Sequence, residues 1–125
     1  MAPSFLLPDT LARENGQGKG VPVDTSSGGT LRITLGITHI LEKESLHVSI
    51  WGSADGRHWE RLTVFPPKSY CGNYALDLDL ARREPVRMLR VEWSMRRWTA
   101  AARAPAFGFH VLAEEARMKV AAGAR

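Results

Sequence analysis

Four histidines, a single cysteine and two closely spaced aspartates are the side chains through which this chain could do chemistry. His39, His47, His58 and His110 show no His-x-x-x-His spacing, and Cys71 alone forms neither a Cys-x-x-Cys pair nor an intrachain disulfide, so the expectation is no metal site and no cofactor. Asp77 and Asp79 share one face of a strand-like segment. That spacing suits half a calcium site or a glycosidase-like pair, but it equally suits the solvent side of a strand, the commoner arrangement. Ser45, Ser49, Ser53 and Ser69 lie outside any Gly-x-Ser-x-Gly elbow, and no phosphate-cradling glycine loop precedes a helix. The equipment of an enzyme is missing, and a non-catalytic role is expected.

A second group of residues points to binding. Lys68 and Tyr70 follow Pro66-Pro67, and Arg96, Arg97 and Trp98 follow a strand-like run. If strands alternate in direction, the segments 41–45, 66–73 and 96–105 emerge at one end of the fold, where these five residues converge. A flat ring beside cations suits a sugar, a base or an anionic group, through stacking and charge-assisted hydrogen bonds. The alternative is that Tyr70 and Trp98 cap the open end of a core.

The elements that must position these residues are strands. Leu31, Ile33, Leu35 and Ile37 alternate with Arg32, Thr34, Gly36 and Thr38, and Leu46, Val48 and Ile50 alternate with His47, Ser49 and Trp51. The same period of two runs through Tyr74 to Leu80, Leu89 to Met95 and Phe107 to Val111. Ser53-Ala54-Asp55-Gly56-Arg57-His58-Trp59 is a tight turn: Gly56 tolerates positive φ and the Asp55 carboxylate can accept backbone N–H groups ahead of it. Ser53, Asp55, Gly56 and Trp59 are therefore read as structural. Six or seven short strands with turns between them and no intervening helix predict a single antiparallel β-sandwich over residues 21–113. Residues 1–20, rich in proline and glycine, predict an irregular N-terminal arm, and residues 114–125 a short C-terminal tail with helical character.

Charge is unevenly spread. Residues 1–80 carry seven Lys and Arg against nine Asp and Glu, whereas residues 81–125 carry ten against four, so the net +4 arises wholly in the last third. Such a bias fits an anionic partner, but it also fits arginine stems covering a sheet face. Nucleic acid is disfavoured because no recognised reading motif is present. No stretch is apolar enough to predict a membrane span or a signal peptide, and a cytoplasmic protein is expected if the sequence is full length.

The segment from Leu46 to Trp59, with its Ser-x-Asp-Gly-x-x-Trp unit, followed by Val86-Arg87-Met88-Leu89-Arg90-Val91-Glu92-Trp93, resembles the centre of discoidin (coagulation factor type C) and related galactose-binding-like domains. The resemblance covers roughly residues 31–112. Ser-x-Asp-Gly-x-x-Trp also resembles the Asp-box turn of β-propellers, where it is likewise structural. The resemblance implies a jelly-roll sandwich that binds glycans, lipids or proteins through loops at one end. The disulfide usual in that family is impossible here, so ligand type does not carry over. The expected function is a binding module for carbohydrate or another polar or anionic surface. The rival is a self-assembling structural subunit (a shell, filament or phage-type decoration protein) that uses the N-terminal arm and the sheet edges to form a homo-oligomer.

Overall fold

The computed structural model describes residues 4–23, 29–40, 44–80, 86–97 and 106–115. Among these residues nine strands run in chain order: β1 (Ser4–Ala12), β2 (Gly16–Gln17), β3 (Val21–Pro22), β4 (Thr30–Ile40), β5 (Glu44–Ser53), β6 (Glu60–Val64), β7 (Gly72–Asp79), β8 (Met88–Arg97) and β9 (Phe107–Glu115). All pairings are antiparallel. One sheet has the order β1-β9-β4-β7; the other has β2-β8-β5-β6, with β3 also paired to β8. Because β2 and β3 lie along the same partner, they act as two pieces of one interrupted strand. The result is two four-row sheets in the order of a double Greek key, the jelly roll.

Period-two alternation builds the core. Leu31, Ile33, Leu35 and Ile37 on β4 face Leu46, Val48 and Ile50 on β5, with Leu89 and Val91 on β8 and Phe107, Phe109 and Val111 on β9 filling the layer between the sheets. Each of these side chains is buried, whereas the residues between them face outward. No helix among the described residues is long and apolar enough to cross a membrane.

The N-terminal region corrects the expectation of an irregular arm over residues 1–20. Residues 4–12 form β1, which pairs with β9 and buries Leu6, Leu7 and Ala12 in the core. The strand hides from a periodicity reading because its register shifts between Phe5 and Leu7 and again between Leu7 and Thr10. These bulges let consecutive leucines both point inward and let Pro8 sit where the ladder is interrupted. The glycine-rich stretch that follows serves close packing. A Cβ at Gly16 would come within 2.8 Å of the Trp93 ring, and Gly18 N–H donates to the Val91 carbonyl at 2.8 Å. At the other end, Glu114 and Glu115, expected in the tail, are still strand, paired with Arg32 and Leu31. Residues 116–125, the rest of the expected tail, lie outside the described residues.

Integral packing of β1 has a measurable consequence. Leu6 is 2% exposed. Leu6→Ala should destabilise the protein by about 2–4 kcal/mol, the range for a buried leucine truncated in a close-packed core. Chemical denaturation of the purified variant measures this, and an unchanged midpoint would mean that residues 4–12 contribute nothing to the fold.

Candidate functional site

Strand direction sets the two ends of the sandwich. Along β5 and β8 the ladder runs from Glu44 opposite Arg97 to Ser53 opposite Met88, so the Asp55-Gly56 turn lies at the second end. After β6 the chain returns to the first end, where Lys68 bridges to Leu46 through two backbone hydrogen bonds of 2.8 and 3.0 Å. Lys68 and Arg96 therefore belong to the same end, on either side of β5.

Details at this end differ from the sequence picture. Lys68 Nζ sits 4.3 Å from the centroid of Tyr74, not over Tyr70. Tyr74 Oη donates to the Tyr70 carbonyl at 2.7 Å, which fixes the loop while leaving Tyr70 78% exposed. Arg96 is exposed beside Ser45 in the ladder. Arg97 pairs with Glu44, but its side chain, like the whole of Trp98, lies outside the described residues. Tyr74, which periodicity assigns only to a strand, is the residue that organises the loop.

The opposite end holds the hydrogen-bonded turn. Ser53 Oγ accepts from Asp55 N–H at 3.2 Å and Gly56 N–H at 2.7 Å, and donates to Asp55 Oδ1. Asp55 Oδ1 also accepts from Arg57 N–H and His58 N–H at 2.8 and 2.9 Å, and Oδ2 lies 2.7 Å from His58 Nδ1. Gly56, at φ 79°, supplies the left-handed residue. The turn folds back onto β8: the Arg90 guanidinium lies 4.4 Å from the centroid of the Trp59 ring. The Ser53 hydroxyl and both Asp55 carboxylate oxygens are engaged within the turn, which is held by its own hydrogen bonds.

The outer faces and edges complete the surface. On the β1-β9-β4-β7 sheet, register places Phe5, Leu112, Thr34 and Ala75 in one row across all four strands. Phe5 is 52% exposed, and Leu11 on the same strand 55%. The adjacent row is Glu114, Arg32 and Asp77, with Arg32 Nε 3.2 Å from Asp77 Oδ1. Asp77 is thus tied to a cation on the next strand. Among the described residues, no group of three His, Cys, Asp or Glu side chains is arranged to hold a metal ion.

No protein-family model matches the chain, and no curated protein matches it. Among solved structures, the chain is similar to one titled "Structure of infectious bursal disease virus Gx strain", with a TM-score of 0.49 and 11% identity. The match covers 90% of this chain and 31% of that one, so this chain spans under a third of that chain's length. Likeness at this level carries no argument about function.

The turn's charges fix a pH dependence. Hydrogen bonds from the His58 backbone and ring and the Arg57 backbone hold the Asp55 carboxyl well below its ordinary 3.8, and the Asp55 carboxylate raises His58 above its ordinary 6.5. Asp55's contribution is therefore complete above pH 3.8 and lost as pH falls through its depressed value. That of His58 is complete below pH 6.5 and lost as pH rises through its raised value. Asp55→Ala should lower Tm most between these two limits and less above neutral pH. A loss of Tm that does not vary with pH would remove the His58 pairing from the account.

Proposed function

We propose that this chain is a non-catalytic structural subunit that assembles with copies of itself through an open sheet edge. One observation carries the reading. β7 pairs with β4 over eight residues without a register shift, from Gly72 opposite Ile37 to Asp79 opposite Thr30, and no described strand lies on its other side. A long, regular edge presents a row of backbone donors and acceptors, which proteins otherwise blunt with bulges, proline or unpaired charge. β7 contains no proline, and the Asp77 charge is answered by Arg32. Two copies joined β7 to β7 about a two-fold axis would form one continuous sheet, an isologous contact that needs only one surface. The half-exposed Phe5 and Leu11 on the same sheet supply further apolar surface of the kind that marks protein contacts. The N-terminal arm that the sequence offered for exchange is occupied as β1 within its own sheet, so this assembly does not use it.

Light scattering coupled to size-exclusion chromatography tests the reading. The intact chain should elute as a dimer or larger species. Ala75→Lys, an exposed change that sets a charge on the edge strand, should yield a monomer with unchanged circular dichroism. An intact chain that is monomeric at every concentration would contradict self-assembly.

The exposed Tyr70 ring favours a second reading, recognition of a glycan or another polar surface at the loop end. A glycan-array signal lost on Tyr70→Ala, with an unchanged melting curve, would support it. A glycan-array signal unchanged by Tyr70→Ala, or no signal, would remove this second reading of the loop end.

A further inference from the structure

The outer face of the sheet formed by β2, β3, β8, β5 and β6, away from the edge used for assembly, carries a groove of about 300 Å³. Outward-pointing side chains from three strands line it: His47 and Ser49 from β5, Arg61 and Val64 from β6, and Glu92 and Ser94 from β8. Cross-strand register brings them together, with His47 opposite Ser94, and Ser49 opposite both Glu92 and Val64.

A further layer of side chains holds these groups. His47 Nε2 lies 3.1 Å from the hydroxyl of buried Ser45. Ser49 Oγ accepts the Trp51 indole N–H at 2.9 Å. Glu92 Oε2 accepts from Arg90 Nη2 at 2.7 Å, and Arg90, whose buried Nε has no hydrogen-bond partner, stacks on the Trp59 ring. The turn thereby fixes Arg90, Arg90 fixes Glu92, and one Glu92 oxygen remains outside that pair. Such second-layer support holds a polar constellation in place before a ligand arrives.

The chemistry left open is specific. Arg61 is exposed and in no ion pair with another described residue, so its guanidinium can take a carboxylate. Glu92 is an acceptor for hydroxyl groups, Ser94 can donate and accept, and Ser49, whose hydroxyl already accepts from Trp51 and donates to the Glu92 carbonyl at 3.5 Å, keeps one acceptor lone pair. Val64, half-exposed, offers an apolar patch for the C–H face of a ring. A volume at the lower limit of small-molecule sites admits a single ring. We propose that this groove binds one sugar-acid residue, with its carboxylate on Arg61 and its hydroxyls on Glu92 and the two serines.

Amide-resolved NMR titration of the full chain with glucuronate, glucose and inorganic sulfate tests this. Glucuronate should shift the amides around Ser49, Arg61 and Glu92, and bind more tightly than glucose or sulfate. Arg61→Gln, an exposed change that spares the fold, should weaken glucuronate binding about tenfold or more, the effect of losing one charge-assisted pair. Glucose binding as tightly as glucuronate would remove the carboxylate contact, and sulfate binding as tightly would remove the hydroxyl contacts. Either result, shifts confined to residues outside the groove, or no shift at all would overturn the proposal.

Discussion

Mutual burial of the inward faces of β4, β5, β8 and β9 is the interaction on which the rest of the molecule depends. Ile33, Leu35, Leu46, Val48, Ile50, Leu89, Val91, Phe107 and Val111 have no solvent exposure, and they come from two facing strand pairs, β4 with β9 in one sheet and β5 with β8 in the other. Strict alternation along these strands leaves the other half of each facing outward, so every surface feature is the complement of the core. A one-residue slip of β5 would bring Ser45, His47 and Ser49 into the core and carry Val48 and Ile50 to solvent. The groove, the charged rows and the loop ends all inherit their positions from this register.

From that constraint follows a division of labour. The sheet with β8 at its centre carries the polar constellation of His47, Ser49, Arg61, Glu92 and Ser94, anchored through Arg90 to the Trp59 turn. The sheet with β4 and β9 at its centre carries the apolar row and the open β7 edge. The Ser53–Trp59 turn, structural in its own hydrogen bonding, gains a second role because its tryptophan covers an arginine that orients a groove residue. Assembly through β7 leaves the groove on the other sheet open, so the two proposals are independent of each other.

Much of this architecture was legible in the residues. Clean alternation in β4, β5, β7, β8 and β9 marks five strands, and Ser53, Asp55 and Gly56 mark the turn, because in these places each local preference agrees with the global fold. The N-terminal strand was not legible. Its bulges around Pro8 break the period of two, and the glycines after it read as mobility when they serve close approach to Trp93. The groove was hidden for another reason. It is assembled across three strands by register, and His47, Arg61 and Glu92 carry no short-range spacing that ties them together. Tyr74 was assigned to a strand correctly, yet its hydroxyl bond to the Tyr70 carbonyl and its contact with Lys68 arise from a loop that no periodicity describes.

The central functional claim is that β7 is an edge completed by a second copy, and hydrogen exchange resolved along that strand tests it most directly. In β7, only some of the backbone amides are directed toward β4; the others point to the open side. The account predicts that the open-side amides of Gly72–Asp79 are protected at high protein concentration and lose that protection on dilution, while the β4-facing amides stay protected throughout. Open-side amides that exchange freely at every concentration would contradict it.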